Sequence, residues 1–253
     1  MKKLIIANWK CNPASLKEAQ NMLVGLKAGL KNNKAELVVC PPFVYLTEAN
    51  KILKGIGGVV KIGAQNCFWE TAGAYTGEIS PLMLKDLGVK YVILGHSERV
   101  TTIGETNEMT AKKVKAVLNT GLTPIVCIGE TLQEREQAEA FGVIEKELKE
   151  STKGIHKKEI EKIIFAYEPL WAISTNQGLI CSSDDALTMA LYLKKLIGEI
   201  YGRKTGQAIK ILYGGNINKK NAKNYLENEA ISGLLVGGAS LNIKEFLSIV
   251  KSV

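Results

Sequence analysis

The chain has 253 residues, of which 46% are apolar and 23% charged, and its formal net charge is +8. These are ordinary values for a folded protein in water, and no apolar stretch approaches the roughly 20 residues that a membrane-crossing helix needs. The lysine surplus does not by itself mark a nucleic-acid binder: in EKELKE (145–150) and KKEIEK (157–162) lysines are interleaved with acids, as on solvated helix faces.

The first apolar run, LIIAN (4–8), is too short for the core of a secretory signal and reads as a strand. An amphipathic stretch follows at SLKEAQNMLVGLKAGL (15–30). Further β-branched runs are ELVVC (36–40), VVKIGAQ (59–65), KYVILG (90–95), LTPIVCIG (122–129), IIFAYE (163–168), AIKILYG (208–214) and GLLVG (233–237), separated by helical patterns. In SSDDALTMALYLKKLIGEIYG (182–202), Ser182 or Ser183 starts a helix, and Leu187, Leu191, Leu193, Leu196 and Ile197 mark its apolar face. Strands apolar on both sides, alternating with helices, mean a parallel sheet with covered faces. Eight strand–helix units without a composition break predict one α/β domain over residues 1–253, a closed (β/α)8 barrel. An open doubly wound sheet is the alternative, but no G-x-G-x-x-G follows the first strand.

Five cysteines (Cys11, Cys40, Cys67, Cys127, Cys181), odd in number and without a C-x-x-C pair, argue against a disulfide framework or a zinc site and predict a cytoplasmic protein.

In a barrel the chemistry lies where strands run into loops. The polar residues there are Asn8 and Lys10, Gln65 and Asn66, His96 to Glu98, Glu130, Glu168, then Gly214-Gly215-Asn216 and Gly237-Gly238. Glu168 ends a strand and runs into Pro169 and an apolar Leu-Trp-Ala-Ile. As an acid at a strand end it is as readily one half of an ion pair. The apolar segment instead suggests shielding from water, which would raise its basicity and suit a general base. A lone histidine is usually a hydrogen-bonded core residue. His96, however, opens a Ser-Glu-Arg helix start, which disfavours the charged ring and leaves a neutral donor for a carbonyl oxygen. Lys10, an exposed lysine on the simplest reading, shares strand parity with Asn8 and would face the barrel mouth, where an ammonium holds an anion. A glycine pair singly is a tight turn. Two pairs after the seventh and eighth strands suit a phosphate site built from backbone N–H groups. Base, electrophile, cation and phosphate cradle together predict proton abstraction beside the carbonyl of a small phosphorylated compound, with no metal and no cofactor.

NWK (8–10), GHSER (95–99), AYEPLWAI (166–173), YGG (213–215) and LVGGASL (235–241) resemble the triosephosphate isomerase family, in order and along essentially the whole chain. The resemblance implies interconversion of dihydroxyacetone phosphate and D-glyceraldehyde 3-phosphate through an enediol(ate). It implies Glu168 as the base, His96 as the neutral electrophile, Lys10 as the cation, Asn8 as an orienting residue and Glu98 as a buttress, with Ser97 holding Glu168 in the empty site. Ser174, Asn216, Gly237 and Gly238 would contact the phosphate, and the segment after Pro169 would be a lid. FWETAGAYTGEIS (68–80) looks like an arm that inserts Thr76 beside a neighbour's active site, implying a homodimer. Departures are Ser174 and Asn176 where the family has glycines, Gln177 for lysine, a lid longer by about two residues, Asn216 for serine, Val100 for arginine and Cys11 for methionine. Asn216 would then make its contact through its backbone N–H. Two alternatives are an isomerase of a four-carbon ketose phosphate and a phosphate- or nucleic-acid-binding barrel without turnover. The leading reading expects neither a nucleic-acid nor a membrane partner.

Overall fold

The computed structural model describes residues 2–30, 34–54, 60–173 and 179–253. Eight strands run parallel: β1 (Leu4–Asn8), β2 (Glu36–Cys40), β3 (Val60–Ala64), β4 (Tyr91–Leu94), β5 (Thr123–Ile128), β6 (Ile164–Tyr167), β7 (Lys210–Tyr213) and β8 (Gly233–Val236). They pair in sequence order and close into a barrel, β8 returning to β1 with Ile6 beside Leu235. Among the described residues no helix is long and apolar enough to cross a membrane.

The two-residue period of a strand sorts its side chains into two cores. Leu4, Ile6, Val38, Ile93, Ile125, Ala166, Leu212 and Leu235 pack together in the barrel interior. Their neighbours in sequence, such as Ile5, Leu37, Val92, Val126, Phe165 and Ile211, pack outward with the helices. Each such Val, Leu, Ile or Phe side chain, removed from water, contributes on the order of 1.5–3 kcal/mol before entropy is counted. Continuing the inward parity by two residues past Ile6, Ile93, Cys127, Ala166, Leu212 and Leu235 gives Asn8, Gly95, Gly129, Glu168, Gly214 and Gly237. On these six strands the position above the packed layers therefore carries two polar side chains and four glycines.

Helix ends follow local chemistry. Ser15 caps the helix Leu16–Gly29 by accepting from the Glu18 N–H at 3.3 Å, and Ser182 caps the helix Ser183–Tyr201 by accepting from Asp185 at 3.0 Å. The apolar face of the second helix differs from the leucine stripe expected. Ala186, Met189, Ala190, Leu193, Leu196 and Ile197 are buried, whereas Leu191 is 52% exposed. The two alanines belong to the packed face, and leucine count alone misplaces the stripe by part of a turn.

Candidate active site

Asn8, Lys10, His96, Glu168, Asn216, Gly237 and Gly238 line one pocket at the C-terminal ends of the strands, together with Gly214 and Gly215. Glu98 lines the adjoining cavity of about 870 Å³. Ser174, with Asn176 and Gln177, lies outside the described residues.

Lys10 reaches the pocket by a route that strand alternation does not foresee. Its φ is 54°, in the left-handed region that costs a non-glycine residue energy. Three contacts impose it: Asn8 Oδ1 accepts from the Lys10 N–H at 3.1 Å, Gln65 Nε2 donates to the Lys10 carbonyl at 2.9 Å, and the ammonium sits 2.6 Å from Glu98 Oε1. Gln65 is thus a support for the lysine. Asn66 is a support too, accepting from Lys113 Nζ at 2.9 Å.

Gly95 has φ 65°, a conformation glycine adopts freely, and it turns the chain so that His96 caps the helix Ser97–Ile103. Nδ1 of His96 accepts from the Glu98 N–H at 3.2 Å. A nitrogen that accepts carries no proton, so the ring is the tautomer protonated at Nε2, and Nε2 lies 3.0 Å from Glu168 Oε1. The other carboxylate oxygen, Oε2, accepts from the Ser97 N–H at 3.1 Å. The hold of Ser97 on Glu168 therefore runs through its main chain.

These bonds reverse the expectation of a more basic Glu168. Burial alone would raise its pKa, but the His96 ring, the hydrogen bond from it and the Ser97 N–H together hold the carboxyl below the usual range. On His96, burial pushes the pKa down while Glu168, their hydrogen bond and Glu98 push it up, with a net rise as long as the two are paired. The upward pull belongs to the pair. It weakens once Glu168 turns to another partner or takes a proton, and the N–H on Nδ1 continues to favour the neutral ring.

The far wall is glycine. A Cβ on Gly237 would lie 3.3 Å from Lys10 Cε, a tight approach that the bare backbone relieves. Gly237 also leads into a short 3-10 turn, Gly238–Leu241, whose Ser240 N–H and Oγ both donate to the Gly237 carbonyl. The Asn216 backbone N–H, expected to face an anion, donates instead to the Ala172 carbonyl at 2.7 Å. It thereby ties the loop after β7 to the turn Leu170–Ala172 that follows the acid.

That turn is anchored by a residue whose partners the sequence did not reveal. Glu130 Oε1 accepts from Trp171 Nε1 at 2.9 Å, from Tyr167 OH at 3.0 Å and from Arg135 at 3.3 Å. Arg135 also lies 4.7 Å over the Trp171 ring and bonds Asp185 at 2.6 Å. A second buried acid, Glu105, is bound by Arg99 and Lys113, each at 2.6 Å. The GHSER motif contains Arg99, but nothing in the spacing pointed to its partner.

The sequence profile described as triosephosphate isomerase matches residues 3–253. A triosephosphate isomerase of Alkaliphilus oremlandii is 47% identical, and one of Dictyoglomus thermophilum is 45% identical, each over 99% of both chains. The crystal structure of triosephosphate isomerase from Bartonella henselae superposes with a TM-score of 0.87 at 33% identity, covering 100% of this chain and 99% of that one. With a barrel closed in sequence order and an acid, an imidazole and an ammonium around one pocket, these matches lead to one conclusion: the chain belongs to the triosephosphate isomerase family.

Proposed function

We propose that this barrel, as a single domain, interconverts dihydroxyacetone phosphate and D-glyceraldehyde 3-phosphate by moving one proton between adjacent carbons. The observation that carries the reading is the convergence of Lys10, His96 and Glu168 on one pocket walled by the two glycine pairs. Family membership supplies the substrate class. Glu168, as the carboxylate, takes the proton from the carbon beside the carbonyl. The carbonyl oxygen replaces Glu168 Oε1 on the His96 Nε2–H, which stabilises the oxyanion as charge develops. The Lys10 ammonium adds a permanent positive charge. Glu168 then returns the proton to the neighbouring carbon while the hydroxyl proton passes, through the His96 ring, from one oxygen to the other, so no atom is lost and no redox partner is needed. Asn8 and Glu98 hold Lys10 in place, and the backbone at Gly237 and Gly238 receives the phosphate. Asn216 contributes its side chain to that wall, its N–H being engaged.

The same protein is proposed to work as a homodimer. The tip of the arm 68–80 stands away from its own barrel: residues 71–78, Thr76 among them, are exposed, and Tyr75 packs on Phe68 at 4.8 Å between ring centroids. Val44 is 78% exposed and Ile103 65%, and the 870 Å³ cavity lined by Cys11, Phe43 and Ile103 is of a size to take a partner's arm. The Thr76→Arg variant tests this by light scattering, where a monomer is expected and an unchanged dimer would contradict it.

A coupled assay from D-glyceraldehyde 3-phosphate tests the chemistry. Wild-type turnover and a loss of at least ~10²-fold in Glu168→Ala are expected. Equal rates would remove Glu168 from the role of base. No observation favours a four-carbon ketose phosphate or a barrel without turnover.

A further inference from the structure

Behind the acid, away from the substrate pocket, a second cavity is lined by Ser97, Asn107, Cys127, Gly129, Glu147 and Glu168, among others. Glu147 comes from the helix Ala140–Ser151 and is not needed for any step above. Its Oε2 accepts the Gly129 N–H at 2.9 Å. Gly129 is where the end of β5 and the start of the Glu168 loop press together. A Cβ at 129 would run into the Glu168 carbonyl and come within 3.2 Å of the Pro169 nitrogen. On either side the two segments are laced by Glu168 N–H to the Ile128 carbonyl at 2.8 Å and Leu170 N–H to the Glu130 carbonyl at 2.9 Å. The middle N–H of this lacing is the one that Glu147 holds.

We propose that Glu147 is a positioning residue for Glu168: by fixing the Gly129 N–H it sets the height of the Glu168–Pro169 main chain and so the reach of the carboxylate into the substrate pocket. The inference rests on Glu168 being the base. Its support is geometric, and the charge environment adds to it. The charged groups that bear on Glu147 are Glu134 from the helix Leu132–Glu136, Glu130 from the loop after β5 and Glu150 from its own helix, all acids. Strand β5 presents the Cys127 thiol, and the helix Asn107–Asn119 presents Asn107, whose amide bonds Glu150 at 2.9 Å. The helix Ser183–Tyr201 meets the same helix through Tyr192 OH, 3.4 Å from Glu145. Burial among these acids pushes the Glu147 carboxyl up to about 7, with only the Gly129 N–H pulling it down. An acid kept where its surroundings disfavour its charge is a local conflict, and such conflicts concentrate at working sites.

Three variants in the isomerase assay decide the matter. Glu147→Gln keeps an acceptor for Gly129 without the charge, and Glu147→Leu removes the acceptor. The Leu variant is expected to lose about tenfold in kcat with KM within about twofold, because a small displacement of a catalytic group is costly in rate. The Gln variant is expected to recover to within about threefold of wild type. A Leu variant that melts earlier but turns over at the wild-type kcat would make Glu147 structural only and overturn the proposal, as would a Gln variant as slow as the Leu one. If the Leu variant does not fold, the ratio of wild-type to Gln rates decides. Ionisation strengthens the grip on the N–H, so a rise of about twofold from about pH 6 to about pH 8, around the Glu147 value of about 7, supports the proposal and a flat ratio overturns it. Glu168→Gln in the same assay keeps the two claims apart. Full activity there sinks the base itself, whereas a slow Glu168→Gln beside a fast Glu147→Leu sinks only the positioning.

Discussion

Two buried acids near the barrel mouth, Glu105 and Glu168, are both held below the ordinary carboxylate range, and by different means. For Glu105, burial works against the charge, but the Lys113 and Arg99 bonds and charges outweigh it. Its partners are permanent cations, and Lys113 itself is buried. For Glu168, burial is outweighed by an imidazole and a backbone N–H, and the carboxylate borders a pocket. A carboxylate locked between two fixed charges has nothing to exchange. One held by a histidine N–H and a backbone N–H can trade the histidine bond for a substrate and take a proton. The choice of partner separates structure from chemistry more clearly than burial does.

The largest effect that could break this contrast is in rate. Glu168→Gln is expected to lower kcat by ~10²–10⁴-fold and to lower the melting temperature too, since its single amide oxygen accepts from the Ser97 N–H or the His96 Nε2–H but not from both. Glu105→Gln is expected to leave kcat of the folded protein within about threefold while lowering the melting temperature, because Lys113 loses its counter-charge. A Glu105 variant that stays stable but loses turnover would erase the distinction.

Next in size is stability. Lys113→Met removes one cation from a buried pair and is expected to cost about 3–5 kcal/mol in denaturant unfolding. A cost below about 1 kcal/mol, the range of surface pairs, would mean that Arg99 alone neutralises Glu105.

Acid sensitivity sharpens the same comparison. A carboxyl held low in the fold stabilises it fully above its unfolded value, near 4.5 for both acids, and stops doing so as pH falls through the depressed folded value. Stability should therefore fall below about pH 4.5, and Glu105→Gln or Glu168→Gln should each flatten that fall in a urea titration across pH. An unchanged slope in both would contradict the depressed values. The smallest effect concerns the turn after the base. Trp171→Phe removes one of three donors to Glu130 and is expected to cost about 1 kcal/mol, read from the urea midpoint.

Short β-branched apolar runs made the strands legible: β1 and β2 match LIIAN and ELVVC residue for residue, and the other six fall within a residue or two. Their places at the ends of such runs carried Asn8 and Glu168 to the rim. What stayed hidden depends on atoms brought together across the chain. Leu191 looked like core because leucine is apolar, yet Ala186 and Ala190 set the packed face. Asn216 looked free to bind an anion until the Ala172 carbonyl took its N–H. Desolvation of Glu168 could be guessed from Leu170 to Ile173, but the bonds that outweigh it come from residues 96 and 97. Glu130 stood out only by its place at a strand end, without its partners, and Arg135 and Glu147 gave no sequence signal, because a lone acid or arginine in a helix-rich chain has too many bland roles.

The most direct test is proton transfer itself. With D-glyceraldehyde 3-phosphate in deuterated water, the wild type should place deuterium on the carbon beside the carbonyl of the product, read by NMR. Glu168→Gln should bind the same substrate and show incorporation at least ~10²-fold slower. Deuterium entering at the wild-type rate without the Glu168 carboxylate would contradict the account.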